Sequence, residues 1–540
     1  MPDTHISPWS ILRRSVAEES VASTRRADAQ IAWLRDYAAR RLNSKIIDER
    51  RCIPPYVALD FGNEGLFGPL IETRYGGTAL RFADLARVLE QLGAIDVGLA
   101  TWIVTSVFPG TRPLSAYGTE ELKAEWLPLL AAGRTLGAYA QTEVAAGSDF
   151  TSITTHAHIS SEGWRLNGAK HWIGNGSWAG VVTVVAQLVD STGEPADIIT
   201  LAVPTASRGV TMGAEHLSSG LRGMVQSRLQ FDDVIVPKPH LLGGEQSALV
   251  AVDSMTTTRF ALVAVALGAM KRILQIGYRF ASRRRVAGGM LGERAATLVV
   301  LGEIAAHIEI AEALVHGLAD RFDLGQPLDV EPVAAVKVLV TEWAVQAADR
   351  LVQLLGGRGY DEANNVGQLY RDLRVYRIFE GATEVLTDFL GGRTLSQPEY
   401  MEKFLCLAPD VADQLRFALA DLADREVTSH KATIDRELRR SAAGTAFAWA
   451  LVSTELRNHP KVSALATMLT ADRFQEALAS LRDCGRRESA VPSFQELADT
   501  VARYVERIGD IEQAQPGADA TTDALLTRQI PVGGAAYGSA

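Results

Sequence analysis

Cysteine is scarce: Cys52, Cys406 and Cys484 are the only three in 540 residues. Thiols so few and so widely spaced form neither a disulfide framework nor a zinc-ligand pattern, and they read as incidental thiols in a reducing compartment. Basic charge is not in excess either. Lys and Arg number 54 against 64 Asp and Glu, a net charge of −10. That balance leaves nothing to neutralise a phosphate backbone and argues against a dedicated nucleic-acid binder. The opening residues, MPDTHISPWSILRRSVAEES, lack an apolar core followed by a cleavage site, so no secretory signal is read. The longest apolar run, Phe260–Met270, is too short to cross a bilayer and predicts a buried helix. A cytoplasmic location is the expectation. No internal repeat of about 20–50 residues is present.

What is there divides into four zones. Residues 1–138 predict helices: ADLARVLEQLG and EELKAEWLPLLAAG carry apolar residues at helical spacing and end in glycine. Residues 139–245 change period. GVVTVVAQLV, DIITLAVP and SRLQFDDVIVP are short β-branched runs bounded by Gly, Pro and Asp, and RLNGAKHWI offers a turn at Asn167-Gly168. Residues 246–395 return to long amphipathic helices, among them VAAVKVLVTEWAVQAADRLVQLL, which stops at Gly356-Gly357. Residues 396–540 form a helical extension whose Gly/Ala/Thr-rich tail, from Gln515 on, is expected to be disordered. The fold class is α+β.

Four stretches draw chemical attention. In AYAQTEVAAGSDF, Thr142, Gly147 and Ser148 place two hydroxyls and an open backbone in one loop, suited to a phosphate or the edge of a heterocycle, or simply a polar turn. In NGAKHWIGNGSWAG, Trp172 stands between polar residues and could cover a planar ring, or fill a strand core. LGGRGY reads as a C-cap or as a tight turn that lets a pyrophosphate approach. Arg279, Arg283, Arg284 and Arg285 read as a basic cluster on one helix, most simply a solvated face, with one arginine free to meet a phosphate. A fifth, RVYRIFEGATEV, sets Glu380 after two apolar residues and before Gly381, with Arg374 and Arg377 nearby as ion-pair candidates.

In their order, RYGG (74–77), YGTEELKAEWLPLLAAG (117–133), QTEVAAGSD (141–149), LNGAKHWIGN (166–175), FDDVIVP (231–237), LLGGRGY (354–360) and YRDLRVYRIFEGATEV (370–385) resemble the acyl-CoA dehydrogenase family over roughly residues 20–395. The resemblance implies a helical domain, a central β-domain and a C-terminal four-helix bundle, with FAD between them. It implies α,β-dehydrogenation of an acyl thioester, on CoA or an acyl-carrier protein, to the trans-2-enoyl thioester. Glu380 matches the base that takes the α-proton while hydride leaves for flavin N5. Thr258, before the arginine matched by Arg259, fills no alternative base position.

The same resemblance assigns Tyr139, Gln141 and Thr142 to the flavin, and Gly147 and Ser148 to the FAD phosphates or the substrate arm. Trp172 and Gly174 are assigned to the isoalloxazine, and Arg259 and Gly381, with Ser148, to the substrate. It assigns Arg284, Gln353 and Gly357 to the FAD of a neighbouring subunit, and Thr383 and Glu384 to the adenosine half, which implies a homodimer or homotetramer.

Departures from the pattern are specific. RRVAGGML puts Val286 and Ala287 where the family has Gln and Phe, Gly174 stands where a threonine hydroxyl is usual, and EGT has become EGA. QTE, WIGN and the C-terminal extension are similar to features of acyl-CoA oxidases, though very-long-chain dehydrogenases also carry an extension. Three readings follow: a dehydrogenase that passes electrons to an electron-transferring flavoprotein, an oxidase that uses oxygen and releases hydrogen peroxide, and a non-catalytic scaffold retaining the fold. In the oxidase reading, Gly174 and Ala287 are expected to open space beside the flavin.

Overall fold

In the computed structural model the described residues are 16–509, apart from 191–192, 326–329, 405, 424–431, 458, 460–461 and 488–490. The tail expected to be disordered, 515–540, lies outside them. Seven helices come first: α1 (Val16–Arg40), α2 (Ser44–Arg50), α3 (Pro55–Asn63), α4 (Phe82–Ile95), α5 (Val97–Val107), α6 (Arg112–Tyr117) and α7 (Glu120–Ala131). Short polar side chains set their starts. Asn43 caps α2 by accepting from the Ile46 N–H, Asp96 caps α5 through Leu99, and Thr119 caps α7 through Leu122. Gly93 does not end α4 as expected. It lies inside the helix, where the segment carrying Val265 passes so close that a Cβ would strike the Val265 carbonyl.

The strands follow: β1 (Leu136–Ala140), β2 (His156–Ile159), β3 (Trp164–Gly174), β4 (Ala179–Val189), β5 (Pro195–Pro204), β6 (Val210–Glu215) and β7 (Gln226–Val236). They make one mixed sheet in the order β1-β4-β2-β3-β7-β6, with β5 also on β4. β1 and β2 run parallel to β4, and the other pairs are antiparallel. Alternate apolar residues such as Val182, Val184, Leu201, Leu229 and Phe231 bury a common face. Asn167-Gly168 is not a turn. It lies within β3, where the register against β7 shifts and Gly168 packs on Thr155 with φ 141°.

Helices α8 (Ser247–Ala281), α9 (Ala295–Asp323), α10 (Val330–Leu355), α11 (Gly357–Tyr360), α12 (Asn365–Arg374) and α13 (Thr383–Ser396) follow, with the small hairpin β8 (Arg285–Val286) and β9 (Gly289–Met290) between α8 and α9. α8 is long and apolar enough to cross a membrane by length and composition, yet 72% of that stretch is buried within the protein. Phe260–Met270 is buried throughout, as its run of apolar residues predicts. Because α8 ends at Ala281, Arg283, Arg284 and Arg285 do not share a helix with Arg279; they lie in the turn and strand that follow.

The extension contributes α14 (Pro398–Phe404), α15 (Pro409–Ala423), α16 (Ala432–Arg457), α17 (Ala464–Arg487) and α18 (Phe494–Ile508). The described residues fall into two compact units, one within 16–423 with 439–482, the other within 432–438 with 483–509.

Candidate active site

The chain reverses between α12 and α13. A 3-10 turn covers Val375–Arg377, and Glu380 follows with φ 55°, then Gly381 with φ 93°. A non-glycine residue in the left-handed region is disfavoured by ~1 kcal/mol or more, so its surroundings must impose it. Two buried cations do so. The Nε of Arg259, on α8, donates to the Glu380 carbonyl at 2.9 Å. The Nζ of Lys337, on α10, donates to the Gly381 carbonyl at 2.5 Å. Both hydrogen bonds end on backbone oxygens. Among the described residues, no hydrogen bond or ion pair closes on the Glu380 carboxylate.

The arginines next to it in sequence do not claim it either: Arg377 pairs with Glu342 at 2.5 Å, and Arg374 is exposed. Glycine at 381 is required by its φ and by crowding, since a Cβ would lie 2.9 Å from Leu386 and 3.3 Å from an Arg259 nitrogen. The sequence suggested room for a substrate there; the structure shows a constraint from the protein side.

Electrostatics follow the packing. Burial pushes the Glu380 carboxyl above the usual carboxylate range, against the opposing charges of Arg259 and Lys337. Burial pulls Lys337 down to about 8, with the Arg259 charge adding to it. Burial also pulls Arg259 down, opposed by Glu380. The Tyr139 hydroxyl is pushed up by burial and then by the Glu380 charge. Tyr139, Arg259, Lys337 and Glu380 therefore share one electrostatic neighbourhood. Sequence reading missed Lys337. The signal was a single lysine inside the apolar run VAAVKVLV, which a solvated helix face would not supply.

The loop after β1 is pinned from below. The Tyr139 hydroxyl donates to Gln141 Oε1 at 2.6 Å, and the Thr142 carbonyl accepts the His171 N–H at 2.9 Å. Lys170 Nζ donates to the Gln141 carbonyl and to Glu143 Oε1, both at 2.8 Å. Burial alone would raise the Glu143 carboxyl; Lys170 and the Thr154 donors overcome it and hold it down at about 2. Neither Glu143 nor Lys170 was singled out in the sequence. Beyond this anchor Gly147 and Ser148 are exposed, and a Cβ at Gly147 would meet nothing within 4 Å. The open backbone fits an external group such as a cofactor phosphate, not a neighbouring strand.

Trp172 lies on a second register shift of β3, with φ 56°, and is 49% exposed. Its ring stacks on His216 at 5.6 Å, a platform suited to a planar ligand. Gly174 is not open space: a Cβ there would lie 3.0 Å from the Thr105 methyl on α5 and 3.6 Å from Met224.

The remaining nominated residues lie elsewhere. Gln353 and Gly357 are exposed at the α10–α11 junction, where Gly356 takes φ 59°. Arg284 is exposed in the turn after α8. Thr383 opens α13 and its hydroxyl donates to Glu342 at 3.2 Å, with Glu384 exposed beside it. No hydrogen bond or ion pair among the described residues links Arg284, Gln353 or Gly357 to the Glu380 group. A cavity of about 410 Å³ is lined by Ser44, Asp96, Arg272, Gln368 and Asp372, and none of the nominated residues is in it.

Helical, β and helical segments in that order, with the Glu380 turn and the half-exposed Trp172 platform, define an α+β architecture suited to a planar ligand. Comparison with known proteins names it. The acyl-CoA dehydrogenase N-terminal, middle and C-terminal domains match residues 25–134, 138–234 and 248–395. The chain is 30% identical over 369 residues to cyclohex-1-ene-1-carbonyl-CoA dehydrogenase of Geobacter metallireducens, covering 68% of this chain and 96% of that one. It is 32% identical over 340 residues to the mitochondrial very long-chain specific acyl-CoA dehydrogenase of Mus musculus, 60% of this chain and about half, 51%, of that one. A glutaryl-CoA dehydrogenase from Mycobacterium smegmatis in complex with FADH2 superposes with a TM-score of 0.64 at 28% identity, over 68% of this chain and 94% of that one. The chain belongs to the acyl-CoA dehydrogenase family, and with it to the oxidoreductases acting on a CH–CH pair.

Proposed function

We propose that the protein dehydrogenates an acyl-CoA between its α- and β-carbons, giving the trans-2-enoyl thioester, with Glu380 taking the α-proton. FAD is the cofactor and, when bound, supplies the acceptor for the hydride that leaves the β-carbon. The observation that carries this reading is the unpaired Glu380 carboxylate on a strained turn clamped by its carbonyls. An α-proton is weakly acidic, so its removal needs a base whose basicity burial has raised and whose lone pairs are free. The charges of Arg259 and Lys337 oppose that rise and favour the ionised form that takes the proton.

In this reading Tyr139, Gln141, Thr142, Gly147 and Ser148 hold the flavin and its phosphates, Trp172 covers the ring, and Arg259 and Gly381 shape the thioester's seat. Arg284, Gln353, Gly357, Thr383 and Glu384 serve the FAD of a neighbouring subunit. The exposure of Arg284, Gln353, Gly357 and Glu384 on one chain supports that assignment and a homodimer or homotetramer. The names of the relatives favour CoA as carrier over an acyl-carrier protein, and an electron-transferring flavoprotein as acceptor completes the proposal.

The test is optical. The purified protein is expected to be yellow and to bleach anaerobically with at least one member of an acyl-CoA panel. A colourless protein that takes up no FAD would favour a scaffold; a yellow one that no thioester bleaches would overturn the activity.

A further inference from the structure

Helix α18 carries an apolar stripe that no other described residue of its own compact unit covers. Phe494, Leu497, Val501, Tyr504, Val505 and Ile508 fall on one face at intervals of three and four, and Phe494, Val501, Tyr504 and Ile508 are 89%, 57%, 55% and 84% exposed. Scattered apolar residues on a surface are ordinary, but a contiguous stripe marks a contact. The helix is also well delimited. Ser493 and Glu496 form a capping box, with bonds of 2.6 Å and 3.2 Å, and Gly509 closes the other end with φ 79° and an N–H to the Val505 carbonyl. A defined helix ending in an exposed stripe is built to meet a partner.

We propose that α18 packs antiparallel against α18 of a second copy of this chain, across a two-fold axis at Val501. The stripe is positionally symmetric about that residue. Ala498 and Tyr504 lie three residues to either side, Leu497 and Val505 four, and Phe494 and Ile508 seven. A two-fold there sets Phe494 opposite Ile508 and Leu497 opposite Val505, so each apolar side chain meets another. Charge selects the direction. The first half of the helix carries Glu496 and Asp499, and the second half carries Arg503 and Arg507 with Glu506. Antiparallel packing sets Asp499 opposite the partner's Arg503, leaves Glu496 opposite Glu506, and opposes the helix dipoles; in-register parallel packing sets every charge opposite its own copy. The polar face also argues against a lipid surface. It offers three carboxylates, two arginines and no lysine, where an anionic bilayer selects a basic face.

Disulfide trapping tests the pairing on the full chain, with Cys52→Ser, Cys406→Ser and Cys484→Ala as background. Val501→Cys is expected to give a disulfide-linked dimer under mild oxidation. Phe494→Cys alone is expected to give none, because antiparallel packing separates the two positions by about 21 Å, fourteen residues at 1.5 Å each. Adding Leu497→Asp to Val501→Cys is expected to cut the yield at least about tenfold, the equivalent of ~1.4 kcal/mol. Absence of a link at position 501 overturns the proposal. So does equal linking at 494, which means parallel helices, and so does flotation of the protein with phosphatidylglycerol–phosphatidylcholine vesicles that Val501→Asp abolishes.

Discussion

Lys337 and Gly381 are joined by a 2.5 Å hydrogen bond from ammonium to carbonyl, one residue beyond the carbonyl that Arg259 holds at 2.9 Å. Two cations thus grip the backbone carbonyls on either side of the Gly381 Cα and leave the Glu380 carboxylate to other chemistry. The arrangement separates two roles that one ion pair would confuse. A direct bond to the carboxylate would stabilise the charge and occupy the lone pairs; a bond to the carbonyl fixes position, and the cation acts on the charge only through space.

Lys337→Met tests that division. The Lys337 charge favours the ionised form of Glu380, so its loss raises the carboxyl further, and the acidic limb of kcat/KM against pH moves to higher pH. A shift of about one unit is the expected size for an opposite charge at this range. A lysine of merely structural importance would lower the rate at every pH and leave the limb where it was.

Glu380→Gln keeps the shape of the side chain and removes the base. Turnover is expected to fall by about 10²–10⁴ or more, with the visible spectrum and the melting temperature little changed. Anaerobic bleaching at near wild-type rate would show that the proton goes elsewhere.

Gly381→Ala combines a disfavoured φ with a contact at 2.9 Å to Leu386. The strain is expected to cost about 1–3 kcal/mol, read as a lower melting temperature. Misplacing the neighbouring carboxylate by about 1 Å is expected to cost roughly 10²-fold in kcat. An alanine variant with wild-type kcat would mean the turn tolerates displacement.

The far side of the same α12 segment carries a pH-dependent stability. Asp372 accepts the Leu221 N–H at 2.6 Å and lies beside buried Asp96. Burial, then the Asp96 charge, pushes its carboxyl up to about 8, from 3.8 in the unfolded chain. The folded state therefore holds a proton that the unfolded chain releases. The stabilisation is complete below about pH 4 and is lost as pH rises towards 8, at ~1.4 kcal/mol per unit across that window. Asp372→Asn can still accept from Leu221 but has no proton to lose. Its denaturant midpoint is expected to fall less than the wild type's between pH 5 and pH 8, a range set by roughly these two values; equal slopes would remove Asp372 from the account.

Sequence pattern carried the architecture because each zone has a single period: α8 reads as a buried helix and β4, β5 and β7 read as strands from their own residues. Its motif singled out Glu380, whose role as base belongs to the proposed function. The pattern did not carry the contacts of Lys337 or the Lys170–Glu143 anchor: VAAVKVLV marks Lys337 as out of place, but the groups these side chains meet lie on other elements of the fold. Asn167-Gly168 misled for the related reason that a bulge inside a paired strand and a free turn use the same residues. The end of α8 misled too, because four arginines in seven residues continue a helical pattern that the backbone abandons at Ala281.

Under the proposed function, oxygen reactivity is expected to turn on Gly174 and Thr105. The glycine lacks the hydroxyl usual in the family, and from sequence its place beside the flavin looked open. The structure fills it from α5: the Thr105 methyl stands 3.0 Å from the position a Cβ would take, and its hydroxyl 3.8 Å. A filled wall hinders oxygen, so the wild-type enzyme, reduced by its thioester and then aired, is expected to stay reduced until an electron-transferring flavoprotein is added. Thr105→Ala empties that wall, and reoxidation in air is expected to speed up severalfold or more. Gly174→Thr should lower the melting temperature by crowding Thr105, and the double variant Thr105→Ala/Gly174→Thr should recover it, since residues in contact couple while distant ones add. Wild-type reoxidation within seconds, with one peroxide per flavin, would instead make the enzyme an oxidase and show that Thr105 does not close the route.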